Sequence, residues 1–245
     1  MRLMDKVALI TGAGDIGISI AEEFLRNGAR VVLFDLDDNL LREASDRLTA
    51  GEDLICIAGD VRNLADIDKA VDHAKKQFGK LDVLVTTAGV LQHMPIDKLT
   101  LEDWDRVIGV NLTGTFLACK AAVPAMKANG GGRIVAIASV GGRTGRPGVG
   151  VDYAASKAGV GGIAMCLAKE LGSSRITVNC IAPGPIEGRM TAQLPPENLR
   201  LLIGTACIAR LGRPRDIAHA AVYLASDEAE WVTGEVLDVN GGVYI

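Results

Sequence analysis

The chain has 245 residues, of which 49% are hydrophobic but only 4% aromatic, and its formal charge is −4. That mildly acidic balance, with no Lys/Arg run, excludes the basic footprint of a nucleic-acid-binding protein. Length alone leaves one domain or two open, but a composition rich in Ala, Val, Ile, Leu and Gly suits a parallel sheet buried under helices, with a core large enough to need no staple or metal.

The first aliphatic run, Val7–Thr11, predicts a strand. It ends in Thr11-Gly12-Ala13-Gly14-Asp15-Ile16-Gly17, and a helical pattern follows at once (Ile20, Ala21, Phe24, Leu25). Gly12, Gly14 and Gly17 satisfy G-x-G-x-x-G between a first strand and a first helix. There a tight turn lets the backbone approach a pyrophosphate, and the helix N-terminus receives it. The second run, Arg30–Asp35, closes on an acid 18 residues beyond Gly17. A carboxylate there would accept from a ribose 2′-hydroxyl and repel a 2′-phosphate. With no Arg or Lys in the glycine turn, Asp35 predicts NAD as the cofactor.

Further runs at Leu54–Ala58, Val83–Thr86, 133–138, 177–181 and Val236–Val239 predict five more strands. Segments with apolar residues at helical spacing separate them, such as Trp104, Val107, Ile108, Leu112, Phe116 and Ala121. Strand and helix alternating in this way imply right-handed crossovers. The predicted fold class is α/β: a single-domain, Rossmann-type, doubly wound parallel sheet of about seven strands with helices on both faces, over residues 1–245. Gly- and Pro-rich loops at 141–152 and 183–188 follow strands, where ligands gather in such sheets.

Tyr153 and Lys157 stand four apart in a helical stretch and so share a face. A free phenol has a pKa of about 10, too high for a proton shuttle at neutral pH. A neighbouring ammonium favours the phenolate and brings it into range. Ser139, at the end of the fifth strand, places a hydroxyl where it can hydrogen-bond a substrate oxygen.

With these residues assembled, the chain resembles the short-chain dehydrogenases/reductases of about 250 residues over essentially its whole length. The motifs that carry the resemblance are Thr11-Gly12…Gly17, Asp60-Val61, Ala88-Gly89, Asn111-Leu112-x-Gly114, Ser139, Tyr153/Lys157, Pro183-Gly184 and the closing Gly234-Glu235-Val236…Gly241-Gly242. The resemblance implies that Tyr153 is the acid/base and that Lys157 lowers its pKa and bonds the nicotinamide ribose. Ser139 polarises the substrate oxygen, and Asn111 holds a water that links Lys157 to solvent. Asp60 and Val61 meet the adenine, Ala88 and Gly89 pass the adenosine ribose, and Pro183 and Ile186 border the nicotinamide. It also implies a homotetramer built on helices near 103–128 and 152–172.

The expected activity is hydride transfer between NAD(H) and a small secondary alcohol or ketone. One alternative is a 3-oxoacyl-carrier-protein reductase, a branch that more often uses NADP(H). Another is a non-catalytic, dinucleotide-responsive interaction protein. Residues 188–210, broken at Pro195-Pro196 and carrying Met190, Leu194, Leu199, Leu202 and Ile203, are expected to form a substrate lid.

Three features depart from the family pattern. The glycine turn is one residue short and carries Asp15, and two readings stand: Asp15 caps its own helix, competes for the pyrophosphate's donors and weakens dinucleotide affinity, or the change is a harmless loop adjustment, because Gly14 restores a workable G-x-G-x-x-G spacing. Thr86-Thr87 replaces two asparagines, and Gly188 stands where a threonine that bonds the carboxamide is common. Arg143 and Arg146, between Ser139 and Tyr153, read as partly exposed surface or interface residues.

His73, His93 and His219 make no ligand-spaced cluster, and no metal is expected. The five cysteines are odd in number and scattered, and read as buried small hydrophobes in a reducing compartment. No apolar stretch approaches the roughly 20 residues of a membrane span, and the four-residue apolar run near the N-terminus is too short for a signal peptide. A cytoplasmic location is expected.

Overall fold

A computed structural model of the chain describes residues 1–145, 149–192 and 196–245. In chain order it runs β1 (Val7–Thr11), α1 (Asp15–Arg26), β2 (Arg30–Asp35), α2 (Asp38–Leu48), β3 (Leu54–Ala58), α3 (Leu64–Phe78), β4 (Val83–Thr86) and α4 (Leu101–Ile108). A π-helical turn (Gly109–Thr113) leads into α5 (Gly114–Ala128). Then come β5 (Gly132–Ile137), the single turn α6 (Gly141–Thr144), α7 (Val151–Leu171), β6 (Ile176–Pro183), α8 (Arg189–Ala192), α9 (Pro196–Gly204), α10 (Pro214–Ala225) and β7 (Val236–Val239).

The seven strands form one sheet in the order β3-β2-β1-β4-β5-β6-β7, every pair parallel. This is the expected Rossmann-type, doubly wound architecture. Alternate side chains of each strand enter different layers, as a two-residue period requires. Val7, Leu9, Val32 and Phe34 pack in the core beneath α3, α5 and α7. Ala8, Ile10, Val31 and Leu33 pack on the other face against α1 and α10. Because both faces are covered, the strands read as aliphatic runs. Strand order reverses between β1 and β4, so a crevice opens beyond their carboxyl ends.

The expectation that no apolar segment reaches span length needs correcting. α4, the π turn and α5 join into one helix of 28 residues, Leu101–Ala128, with a mean hydropathy of 1.3 over its most apolar window. Val107, Asn111, Ala118, Ala122 and Met126 on it are buried in the domain. The cysteines also divide: Cys119 and Cys180 are buried, but Cys166 and Cys207 are exposed.

Candidate active site

The glycine turn lies between β1 and α1 as predicted, and its glycines do different work. Gly12 has φ +96°, and a Cβ there would stand 2.5 Å from the Ala88 nitrogen. A Cβ on Gly17 would overlap the Gly12 carbonyl oxygen, whereas one on Gly14 would meet open space. Gly14 also precedes α1 with no side chain to cap it, whereas Asp37, Asn63 and Thr100 cap α2, α3 and α4. The first-turn N–H groups of α1 thus remain for an external anion. Gly17→Ala is expected to cost about 3 kcal/mol or more, the upper range of core overpacking. Gly14→Ala should shift Tm by no more than roughly 2 °C. Thermal melts of both variants check this, and equal melting temperatures would refute the tight-turn reading.

The turn opens into a cleft of about 750 Å³ beyond β1, β2 and β4. Of the predicted cofactor contacts, Gly12, Gly14, Asp15, Ile16, Gly17, Asp35, Asp60, Val61, Ala88, Gly89 and Ile186 line it. Pro183, the last residue of β6, and Lys157 are buried, Tyr153 is partly exposed, and all three lie outside the lining. A bare helix N-terminus, glycines that a Cβ would fill and a cleft of this volume fit a dinucleotide.

Three carboxylates in the cleft have partners that the sequence did not announce. Asp35 accepts from the backbone N–H of Ala13 (2.6 Å) and of Asp37 (2.8 Å), so its two oxygens brace the turns that meet at the end of β2. Asp60 is gripped by Arg62, whose Nε and Nη2 donate to it at 2.6–3.0 Å. That guanidinium holds the Asp60 carboxyl below the usual carboxylate range, with a smaller opposing effect from burial.

Asp15 does not cap its own helix. Its carboxylate accepts from the Arg189 backbone N–H at 2.8 Å, with the Arg189 Nε 3.8 Å away. Thr87 replaces a lost asparagine actively: its hydroxyl donates to Thr11 O (2.8 Å) and Gly12 O (3.0 Å), tying the glycine turn to the end of β4.

Ser139, Tyr153, Lys157 and Asn111 gather at the Gly89 end of the cleft. Ser139 lies two residues past β5, and its Oγ accepts from the Gly141 N–H at 3.0 Å. A Cβ placed on Gly141 would be 3.4 Å from that Oγ and 3.5 Å from the Tyr153 ring. Four residues on, Lys157 sets its Nζ 5.9 Å from the Tyr153 ring centroid and donates to Ile137 O at 2.8 Å. Burial lowers its pKa to about 8. Bare Gly89 abuts this group, since a Cβ there would be 3.5 Å from the Lys157 Nζ and 3.4 Å from the Asn111 Oδ1.

Asn111 sits in the π turn, fully buried. Its Oδ1 accepts from Val90 N, while Nδ2 donates to Val90 O and to Ser156 Oγ. It thereby fastens the segment after Gly89 to α7. A second fastening was invisible in sequence: the buried Asp152 carboxylate accepts from Tyr153 N and from Gln92 Nε2, each at 2.8 Å, and Arg106 donates to Gln92. Only a spatial map could find these pairs, because Gln92 and Asp152 are 60 residues apart.

Around the site, Arg143 pairs with Asp238 at 3.3 Å and lies over the Tyr244 ring at 5.1 Å. Arg146, Leu194 and Pro195 lie outside the described residues. Within 188–210, Leu199, Leu202 and Ile203 are half-buried and Leu201 is exposed.

Comparison with known proteins agrees with this geometry. Residues 12–244 match the family described as enoyl-(acyl carrier protein) reductase. The chain is 41% identical, over 99% of its length and 98% of the relative's, to the (2S)-[(R)-hydroxy(phenyl)methyl]succinyl-CoA dehydrogenase subunit BbsD of Thauera aromatica. It is 39% identical, over the full length of both, to the 3-oxoacyl-[acyl-carrier-protein] reductase FabG of Thermotoga maritima. The crystal structure of gox2181 superposes with a TM-score of 0.94 at 32% identity, covering 99% of this chain and 96% of that one.

These relatives overturn the expectation of NAD. They are dominated by 3-oxoacyl-carrier-protein reductases, the branch for which the resemblance implies NADP(H). The misreading arose at Asp35, whose two oxygens each accept a backbone N–H, so that an acid closing β2 has a structural role that spacing alone could not tell from a ribose contact. The chain belongs to the short-chain dehydrogenase/reductase family, as an NAD(P)(H)-dependent oxidoreductase closely related to the FabG-type 3-oxoacyl-carrier-protein reductases.

Proposed function

We propose that the protein reduces the ketone of a 3-oxoacyl thioester to the 3-hydroxyacyl thioester with NADP(H). The observation that carries this reading is the convergence of Ser139, Tyr153, Lys157 and Asn111 beside Gly89, at one end of the cleft that begins at the glycine turn. The bound dinucleotide supplies the hydride, and the protein supplies position and a proton. Ser139 Oγ already accepts from Gly141 N–H, so its own hydrogen is available to a substrate oxygen. Tyr153 delivers the proton to that oxygen. Lys157 spends one of its three donors on Ile137 O, which leaves two for a ribose and for the field that acidifies the phenol.

The thioester part rests on relatives named for acyl-carrier-protein and coenzyme A substrates. Acetoacetyl-CoA and a plain methyl ketone of equal chain length, each offered with NADPH and followed at the nicotinamide absorbance, test it. The thioester is expected to be favoured at least about 100-fold in kcat/KM, or roughly 3 kcal/mol of transition-state binding. Equal turnover of both would remove the thioester from the proposal.

A cytoplasmic homotetramer remains part of this reading. Phe116 on α5 and Met165 on α7 are each about half exposed, as a face awaiting a second copy would be.

A further inference from the structure

The cleft is an electrostatically poor place for a dinucleotide. Six carboxylates line it (Asp15, Asp35, Asp37, Asp38, Asp60 and Glu187) beside two guanidiniums, Arg62 and Arg189. Arg62 is consumed by Asp60. Arg189 is differently placed. It opens α8 on the far lip of the cleft, and its half-exposed side chain spans from Asp15 to Glu43 on α2, donating from Nη2 to Glu43 Oε2 at 2.9 Å.

Both partners are themselves solvent-accessible, and ion pairs of that kind hold weakly. A phosphate offers the same fork a bidentate, doubly charge-assisted match. Asp15, in the first turn of α1, stands where the anion-binding end of that helix begins. Gly188 permits the arrangement, because a Cβ there would overlap the Asp15 carboxylate, whose Cγ would lie 2.9 Å away. The short glycine turn and the missing threonine are therefore one coupled change: the acid in the turn takes the room that a side chain at 188 would need.

We infer that Arg189 is a phosphate ligand of the dinucleotide, held over the cleft by Asp15 and Glu43 and handed from these carboxylates to a cofactor phosphate on binding. The inference rests on the dinucleotide-dependent reading of the cleft. Its test needs no turnover: NADPH and NADH are titrated by nicotinamide fluorescence against the wild type, Arg189→Gln, Arg189→Lys and Asp15→Asn, with thermal melts to confirm folding.

Arg189→Gln is expected to raise the NADPH Kd about tenfold, as the loss of one charge-assisted contact does. Arg189→Lys should recover part of that loss. Asp15→Asn, which frees the guanidinium and removes a repelling charge, should tighten binding by about threefold. A loss shared by NADPH and NADH assigns the diphosphate, and a loss confined to NADPH assigns the 2′-phosphate. Unchanged affinity in Arg189→Gln, beside a wild type that binds, overturns the inference. Weaker binding in Asp15→Asn overturns the hand-over. A wild type that binds neither dinucleotide defeats the reading of the cleft itself.

Discussion

Tyr153→Phe is expected to lower kcat by about 10³-fold, within the range that a positioned general acid contributes, while leaving NADPH affinity within about twofold. The Tyr153 ring lies against Gly141 and beneath the Lys157 ammonium. Phe retains both contacts and removes the one atom able to give a proton to the ketone oxygen. Ser139 cannot take over, since its oxygen is anchored to the Gly141 N–H and a hydroxyl with an ordinary alcohol pKa is a poor acid. Steady-state reduction of acetoacetyl-CoA, beside a fluorescence titration of NADPH, checks both halves. A variant that keeps a tenth or more of the wild-type kcat would remove Tyr153 from the role of acid.

How much of this was legible in the sequence depends on whether the cause of a feature is local. β1, β2 and β4 fall on the aliphatic runs because a buried parallel strand must be apolar on both faces, and the half-buried edge strands β3 and β7 fall on theirs as well. β6 runs from Ile176 to Pro183, beyond the 177–181 expected. In it Asn179, which composition does not mark as a strand residue, is buried and donates to Val232 O while accepting from Glu235 N. The order of Tyr153, Lys157 and the glycine turn was legible for the same reason, since a helix repeat and a tight turn are written in neighbouring residues.

The partners of the acids were not legible. Spacing located Asp35 at a strand end but could not say that Ala13 and Asp37 already hold its oxygens, and the cofactor expectation went wrong there. Nor could it pair Asp15 with Arg189, 174 positions away, so a carboxylate expected to cap its own helix turned out to hold the opposite lip of the cleft. Those errors share a form: a charged residue was assigned to the nearest vacant donor, whereas the fold had brought it another.

Lys157 presents the reverse case, a residue whose proposed role works against the fold. Its side chain is buried, with no carboxylate paired to it among the described residues, and burial brings its pKa from 10.5 down to about 8. That difference corresponds to roughly 3 kcal/mol of destabilisation by the charged form. The sign follows from linkage. Below pH 8 the folded and unfolded chains both carry the proton, and the full penalty is present. Between about pH 8 and 10.5 the folded chain sheds its proton first, so wild-type stability rises with pH across that window.

Lys157→Met, of similar length but uncharged, removes the penalty and costs the Ile137 carbonyl one donor, about 1 kcal/mol. The variant is therefore expected to be more stable than the wild type by roughly 2 kcal/mol at pH 7, a Tm higher by about 4–8 °C, and to lose that advantage as pH approaches 10.5. Its kcat should fall about as far as that of Tyr153→Phe, because a phenol without the ammonium returns toward its ordinary pKa of about 10. Thermal melts of the unliganded proteins from pH 7 to 10.5 measure the difference. A variant less stable at pH 7, or an advantage that does not shrink with pH, would mean that the buried ammonium is compensated within the fold and that its place there is structural rather than catalytic.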